Sequence, residues 1–318
     1  MFFYTPSGPK NGIRPKPVSK DSELDVRWSQ SEEVTASTVP VLTELRYVQL
    51  RRPRAVLFKG RYWRRAGYGL FDVPVNPLAV IEQNEASFPR TGSLGYRAII
   101  KGTAPNAYQH VHVLMDLPNF KIGNLHKDAR YHLRKSIKDP DIRVIKPSPV
   151  NPGILIEQGA ELQAKSSAVR EYYYPSGPFT REAFEAGLKH SGFYSGELLI
   201  FAGLVKGKLA AFIAGLAIDD TAIGETLVIG DLYRATDIGS RLVLTFTQAC
   251  QRTVGVNQIY SSSVVPSRPG ISAYKGRMGF PATAVPMTVK LRPGLELFFH
   301  SVVKKVSPGL YYKSYGKV

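Results

Sequence analysis

The chain of 318 residues carries 42 Lys and Arg against 25 Asp and Glu, a formal net charge of +17. Its length favours two domains or one enlarged domain, and its single cysteine, Cys250, excludes an internal disulfide framework and a cysteine-rich metal site. The positive charge favours anionic partners such as nucleic acid, phosphorylated substrates or lipid headgroups, and a solvated basic surface with no specific partner is the alternative.

No targeting or membrane-spanning segment is evident. No apolar run reaches the length of a membrane span, and the N-terminal sequence MFFYTPSGPKNGIRPKP lacks the apolar core of a signal peptide. We therefore expect a soluble, cytoplasmic protein. The six scattered histidines form no HExxH motif and no paired CxxC is present, so we expect no metal cofactor.

The first 30 residues are rich in Pro, Gly, Ser and charge, and predict a flexible basic arm. Residues 44–68 interleave arginines with aromatic residues, and RAVLFKGRYWRR within them predicts a β-hairpin with a Lys-Gly turn. Cationic groups beside flat rings can pair with phosphates and stack on bases, unless the rings pack inward. The nucleic-acid contacts predicted here are Arg51, Arg52, Arg54, Arg61, Trp63, Arg64 and Arg65.

Residues 109–117, QHVHVLMDL, predict a buried strand that ends with Asp116 at a cleft edge, a candidate acceptor contact. The next segment, KDARYHLRKSIK, predicts a helix with apolar residues on one face. Arg130 and Arg134 on its other faces are further candidates for nucleic-acid binding. Pro140 ends this helix, and IRVI begins another strand.

The C-terminal half predicts a clearer series of elements. Helices are expected over residues 154–169 and 180–190, with Tyr173 between them as a candidate acceptor contact. Three apolar runs separated by KGK and DDTAIG then predict an antiparallel meander. A helix over 238–253, a strand over 258–264, a short helix entered at Pro269 and stopped at Gly279, and a strand AVPMTVKL complete an α+β, or mixed α/β, domain. Residues 294–318 predict a basic amphipathic tail docked on the body.

Gly239 and Ser240 open the helix predicted at 238, where free N–H groups and the positive end of the helix dipole can receive a phosphate. Arg234 and Arg241 can add positive charge to the same site. The alternative is that Gly-Ser only caps the helix.

This arrangement resembles the acyl-CoA N-acyltransferase (GNAT) superfamily. That family binds the donor pyrophosphate at a strand-to-helix turn of pattern (Gln/Arg)-x-x-Gly-x-(Gly/Ala), and here Arg234, Asp237 and Gly239 hold the three positions before IGSRLVL. The resemblance implies donor-phosphate binding by Arg234, Ile238, Gly239, Ser240 and Arg241. Asp237 replaces the first glycine, and its carboxylate is expected to repel a pyrophosphate.

The sequence YKGRMGF resembles the FemAB-like branch of the superfamily. Where ordinary acetyltransferases have a tyrosine general acid, this chain has Lys275, with Tyr274 one residue earlier. The resemblance implies that Lys275 lies at the reaction centre and stabilises negative charge on the acyl carbonyl. It covers residues 111–291 and implies two tandem GNAT-like halves, a degenerate first half over 31–150 and a second over 151–293.

We therefore expect an N-acyltransferase that transfers an acyl or aminoacyl group to an amine acceptor, with Glu225 as a general base or, alternatively, a structural carboxylate. Net charge, the predicted hairpin and Asp237 favour aminoacyl-tRNA as donor, whereas IGSRLVL favours acyl-CoA. The competing hypothesis is a non-catalytic nucleic-acid-binding or assembly protein, and peripheral membrane contact through the tail is a third. The sequence contains no nucleophile-elbow motif, so it does not support a Ser nucleophile with a His-Asp pair.

Overall fold

The computed structural model describes residues 32–51, 54–66, 71–89, 92–166, 180–264, 268–295 and 301. The predicted arm over residues 1–30 lies outside these residues, as do Arg52, Tyr173 and most of the predicted tail.

The elements up to residue 114 are mostly short strands. In chain order they are α1 (Glu32–Thr35), β1 (Val41–Leu42), α2 (Glu44–Arg51), β2 (Val56–Phe58), β3 (Arg61–Ala66), β4 (Phe71–Pro74), β5 (Val80–Ile81), β6 (Gly95–Ile100) and β7 (Ala107–Leu114). A 3-10 turn at Ile122–Asn124 follows β7.

The later elements are longer and match the predicted series. They are α3 (Lys127–Lys138), β8 (Ile142–Ile145), α4 (Ile154–Lys165), α5 (Arg181–His190), β9 (Leu199–Val205), β10 (Lys208–Ile218), β11 (Thr221–Ile229), α6 (Ile238–Arg252), β12 (Gln258–Ser263), α7 (Pro269–Arg277) and β13 (Ala282–Leu291). The predicted meander is confirmed, because β10 pairs antiparallel with both β9 and β11.

The predicted hairpin is also confirmed. Strands β2 and β3 pair antiparallel, and the Lys59-Gly60 turn between them has positive φ at both residues, 49° and 79°. Trp63 on β3, however, is fully buried and packs with Ile81 and Tyr96. The prediction that Trp63 stacks on nucleic-acid bases is therefore wrong, because its ring fills the core beneath this sheet.

The thirteen strands of the described residues form one mixed sheet. Its order is β2-β3-β4-β6-β13-β7-β12-β11-β10-β9-β8, with β1 beside β10 and β5 beside β6. Strand β7, from the earlier part of the chain, lies between β13 and β12 of the later part. Strands β7 and β8, which the predicted boundary at 150 places in the first half, thus pair with strands from the later part of the chain.

Helices cover both faces of the meander. On one face α3 and α6 pack on the sheet through Leu133, Leu242 and Phe246, and on the other α4 and α5 pack through Leu155 and Phe184. Strand β10 is buried along almost its whole length because side chains on both of its faces contact helices. This two-sided packing fixes the strands that carry the candidate site.

Gly95 begins β6, which pairs with β13 on the side away from β7. A Cβ atom at this position would lie 2.2 Å from the backbone carbonyl oxygen of Lys290 on the paired strand β13. Because backbone cannot move aside as a side chain can, we expect Gly95→Ala to lower the free energy of unfolding by about 2 kcal/mol. Urea denaturation measures this, with Gly123→Ala as control, since its Cβ would have no atom within 4 Å. Equal losses in the two variants would contradict the prediction.

Candidate active site

Strands β11 and β12 diverge in the middle of the sheet. They pair in parallel over Thr221–Ile223 and Gln258–Tyr260, and then each continues beside a different neighbour. Strand β11 stays with β10 as far as Ile229, while β12 stays with β7 as far as Ser263. The divergence opens the sheet between the ends of β11 and β12, and we call this opening the cleft.

A β-bulge marks the start of the cleft on β11. The register between β10 and β11 shifts from Gly215 opposite Gly224 to Ala214 opposite Thr226, so Glu225 is the extra residue. Its carboxylate Oε2 lies 2.6 Å from the guanidinium Nη2 of Arg51, and both side chains are largely buried. This geometry favours the structural interpretation of Glu225 over the general base, and it places Arg51 in an ion pair beside the sheet.

A cavity of about 210 Å³ lies where α6 begins, on the α3 and α6 face of the sheet. We call it the α6 cavity. Two residues of the first turn of α6, Gly239 and Ser240, line it together with the basic side chains Arg234 and Arg277. The first N–H groups of a helix have no partner within the helix, so the cavity combines a helix N-terminus with two cations and the carboxylate of Asp237.

Asp237 precedes α6 in the left-handed conformation, with φ of 61°. Glycine adopts this conformation without strain, and aspartate is one of the few other residues that tolerate it. The Asp237 carboxylate Oδ2 lies 3.0 Å from Nδ1 of His132 on α3. The carboxylate also lines the α6 cavity, so the expected repulsion of a pyrophosphate by Asp237 remains a prediction.

Arg241 does not reach the α6 cavity. Its guanidinium is 1% exposed, and Nη1 donates hydrogen bonds to the carbonyl oxygens of Ser136 and Ile142, at 3.0 and 2.8 Å. Burial lowers the pKa of this guanidinium. The predicted phosphate contact by Arg241 is wrong, because its side chain binds backbone beneath the helix. Ile238 is likewise buried, so only its backbone can face a donor.

Tyr274 and Lys275 occupy adjacent but different positions at the cleft. The Tyr274 hydroxyl lies in the α6 cavity beside Ser240, and burial raises the pKa of Tyr274 to about 12. Lys275 instead points at β12, where its Nζ donates a hydrogen bond of 2.7 Å to the hydroxyl of Ser262. Burial lowers the pKa of Lys275 to about 8, because the charged ammonium loses hydration.

Ser262 lies on the part of β12 that has left β11, and it stands opposite His112 on β7. His112 is 1% exposed, and both of its ring nitrogens have partners. Nδ1 lies 3.0 Å from the carbonyl oxygen of Phe280, and Nε2 lies 3.0 Å from the hydroxyl of Ser272 on α7. Burial lowers the pKa of His112, and the charge of Lys275 lowers it further.

The sequence gives no indication of this contact between His112 and Ser272. The two residues are 160 positions apart, and neither belongs to a recognised catalytic motif. The sequence shows only that His112 lies between two valines of a predicted strand. Its side chain therefore points to the opposite face from theirs, the side of the sheet that α7 covers.

A second cavity, of about 220 Å³, lies on the opposite face of the sheet. We call it the α5 cavity. Phe184 and Leu188 of α5 form its apolar wall, and Thr226 with the Arg51–Glu225 ion pair forms its polar wall at the bulge of β11. The cleft thus has a basic cavity on one face of the sheet and a largely apolar one on the other.

Asp116 does not lie at the cleft. It follows the end of β7 that pairs with the start of β12, where β11 and β12 are still together. Its carboxylate accepts a hydrogen bond from the side chain of Asn119 in an exposed turn. The prediction of Asp116 as an acceptor contact is wrong, because the cleft opens at the opposite end of β7.

The remaining basic candidates are spread over the surface. Arg61 is paired with Glu44, 3.1 Å away, and with Glu85, so it is not a ready phosphate ligand. Arg54 and Arg65 are exposed. Arg64, Arg130 and Arg134 are partly buried, and each has interactions within the protein.

Within the described residues, none of the helices has the length and apolar content that a membrane span requires. The same part of the chain holds no group of three or more His, Cys, Asp or Glu side chains placed to bind a metal ion.

Sequence comparison gives no family model and no curated protein that matches the chain. Solved structures do match. FemX is 7% identical, with a TM-score of 0.50 over 85% of this chain and 96% of its own. The C-terminal domain (DUF2156) of a putative lysylphosphatidylglycerol synthetase from Agrobacterium fabrum is 11% identical, with a TM-score of 0.49 over 85% and 92%. A conserved protein of unknown function from Bacteroides thetaiotaomicron VPI-5482 is 14% identical, with a TM-score of 0.48 over 84% and 98%.

The similarity to FemX extends over most of both chains and confirms the predicted fold, a mixed α/β fold of the GNAT type. At this level of identity the similarity concerns the fold alone. The chemistry must be argued from the residues of this chain.

Proposed function

We propose that the protein is an N-acyltransferase that transfers an acyl or aminoacyl group from acyl-CoA or an aminoacyl-tRNA to an amine acceptor. The observation that carries this proposal is the position of Lys275, a largely buried cation at the point where β12 leaves β11. A fixed cation in a partly dehydrated cleft favours a reaction that develops negative charge on a carbonyl oxygen.

The donor phosphates would occupy the α6 cavity. Gly239 and Ser240 at the start of α6 line it, together with Arg234 and Arg277, and a helix N-terminus favours phosphate. Gly239 at this turn is required by packing, since a Cβ atom would lie 2.3 Å from Cδ1 of Ile229. The acyl group would then extend from the α6 cavity along the cleft toward Lys275.

Attack on the acyl carbonyl places a negative charge on its oxygen, and the Lys275 ammonium would stabilise that charge. Tyr274 would donate a hydrogen bond to the departing sulfur or ribose oxygen. Its pKa of about 12 keeps the hydroxyl protonated at neutral pH, as such a donor requires.

The acceptor amine would approach from the α5 cavity, on the other face of the sheet. This position replaces Asp116 as the candidate acceptor site, because the α5 cavity adjoins the bulge of β11 and Asp116 does not. Its apolar wall suits an acceptor with a hydrophobic portion of a few carbons.

One of the arguments for an aminoacyl-tRNA donor is weaker in the folded chain. Trp63 is buried and Arg61 is in ion pairs, so the hairpin offers a poorer surface for bases and phosphates than the sequence predicts. We therefore propose an acyl-CoA thioester as the first donor to test.

The test is coenzyme A binding by isothermal titration. Arg277→Glu is expected to raise the Kd at least about 10-fold, since it puts a negative charge beside the phosphates. Arg143→Glu, on the exposed side of β8, makes the same change in net charge far from the α6 cavity and should have little effect.

Equal losses in the two variants would show that coenzyme A responds only to net charge, against the proposed donor site. If coenzyme A does not bind and the purified protein carries nucleic acid that ribonuclease removes, the donor is an aminoacyl-tRNA. If that nucleic acid is retained and Lys275→Ala leaves the cellular function intact, the non-catalytic hypothesis replaces the enzyme.

A further inference from the structure

We propose that Ser272 is a nucleophile that carries the acyl group as an ester between donor and acceptor, and that His112 is its base. This inference rests on the proposed acyltransferase function and adds a covalent intermediate to it. It starts from the hydrogen bond of 3.0 Å between the Ser272 hydroxyl and Nε2 of His112.

The tautomer of His112 follows from its second partner. A carbonyl oxygen only accepts hydrogen bonds, so Nδ1, 3.0 Å from the Phe280 carbonyl, must carry the proton. Nε2 then presents a lone pair, and the Ser272 hydroxyl donates to it. The Phe280 carbonyl orients the imidazole, as a carboxylate does in a Ser-His-Asp triad.

Burial keeps this imidazole a neutral base. His112 is 1% exposed on the central strand β7, and burial together with the charge of Lys275 lowers its pKa. A neutral imidazole at pH 7 can take a proton from Ser272, whereas an imidazolium cannot.

Ser272 is accessible and lies next to the cation. It is partly exposed and lies one turn before Lys275 on α7, so the two side chains share a face of the helix. Lys275 holds Ser262, which is the cross-strand neighbour of His112. Two hydrogen-bonded pairs therefore lie side by side, one with a nucleophile and its base and the other with a cation for the oxyanion.

In the first step the Ser272 oxygen attacks the carbonyl carbon of the donor as its proton moves to Nε2 of His112. The carbon–sulfur bond of a thioester, or the carbon–oxygen bond of an aminoacyl ester, then breaks. The leaving atom takes the proton from the imidazolium, which leaves an acyl ester on Ser272 and a neutral His112.

In the second step the acceptor amine attacks this ester and gives a proton to His112. The Ser272 oxygen departs as the amide forms and takes that proton back. The sum is one amide and one thiol or alcohol, without any oxidant or metal, and Lys275 stabilises the oxyanion in both steps.

The experiment is covalent labelling of the full chain with diisopropyl fluorophosphate, followed by peptide mass spectrometry. We expect the adduct on Ser272. Ser272→Ala should lose it, whereas Ser263→Ala should keep it, because the Ser263 hydroxyl contacts Gln109 and Tyr260 instead.

His112→Asn is the second variant. Its side-chain amide can still donate to the Phe280 carbonyl, but the base nitrogen is gone, so labelling should slow by about 100-fold or more. Circular dichroism and thermal unfolding verify that the variants are folded. Absence of an adduct on Ser272 in the wild-type protein, or undiminished labelling of His112→Asn, would overturn the inference.

The two proposals fail in different ways. If Ser272→Ala transfers acetyl groups from acetyl-CoA at the wild-type rate, the acyl ester is excluded and the acyltransferase function stands. If diisopropyl fluorophosphate labels Ser272 through His112 but no acyl donor binds, the nucleophile stands without the proposed function, and the site belongs to a hydrolase.

Discussion

Replacement of Lys275 by methionine is expected to lower kcat by about 10²–10³-fold, the usual cost of removing one group that stabilises an oxyanion. Methionine keeps most of the volume of the side chain but has no charge to offer the acyl oxygen. Because the reaction requires a positive charge on Lys275, we expect the wild-type rate to fall as the pH rises through about 8, where Lys275 loses its proton.

The same substitution is expected to stabilise the fold. The pKa of Lys275 is lowered to about 8 in the native state from 10.5, because burial disfavours the charged form. At pH 7 Lys275 is protonated in both the native and the unfolded state, and its burial destabilises the native state by at most about 3 kcal/mol. Lys275→Met removes this cost but also removes the hydrogen bond to Ser262, so the variant gains less stability than that. Between pH 8 and 10.5 the native state releases its proton first, so wild-type stability rises with pH and the advantage of the variant disappears.

Steady-state kinetics and urea denaturation at pH 7 and pH 10 measure the two effects. Lys290→Met, on the exposed side of β13, is the matched control and should change neither quantity. A variant at Lys275 that loses stability and activity together would indicate a structural lysine and would count against its role in the reaction.

The secondary structure could be predicted because local chemistry determines it. Thr180 accepts a hydrogen bond from the backbone N–H of Ala183 and so caps α5, the helix predicted over residues 180–190. The Lys59-Gly60 turn and the apolar runs of β9, β10 and β11 likewise act within a few residues. Such signals decide what an element is, but they carry no information on its distant neighbours.

The errors concern those distant neighbours. Whether Trp63 faces a ligand or the core depends on Ile81 and Tyr96, which reach it only through the folded sheet. The insertion of β7 between β13 and β12 brings His112 to Ser272 and moves the end of β7, with Asp116, away from the cleft. Neither consequence follows from the periodicity of a single strand.

The candidate site also has one part that the sequence predicts and one part that depends on the folded sheet. The position of Lys275 follows from counting back from Gly279 and Phe280, because the short helix α7 fixes their spacing. The contacts around Lys275 cannot be predicted in this way. Its partner Ser262 comes from β12, and the nearby hydroxyl of Ser272 is hydrogen-bonded to His112 of β7. The sequence pattern therefore indicates Lys275 but not His112, which lies beside it only in the folded chain.

Replacement of Arg241 distinguishes a cation that stabilises the fold from one that binds a ligand. We expect Arg241→Ala to lower the free energy of unfolding by about 3 kcal/mol, since it leaves a cavity beneath α6 and two buried carbonyl oxygens without their donor. Those carbonyls belong to Ser136 of α3 and Ile142 of β8, so the loss loosens α6 from both elements.

Arg234→Ala is the matched control for that measurement. The Arg234 side chain is 55% exposed and forms an ion pair with Asp231 at the surface, so its removal should change stability by less than about 1 kcal/mol. It should instead weaken the binding of coenzyme A, because Arg234 lines the α6 cavity. If Arg241→Ala kept wild-type stability and lost coenzyme A affinity, Arg241 would be the phosphate ligand that the sequence pattern implies. The buried geometry of its guanidinium predicts the opposite result.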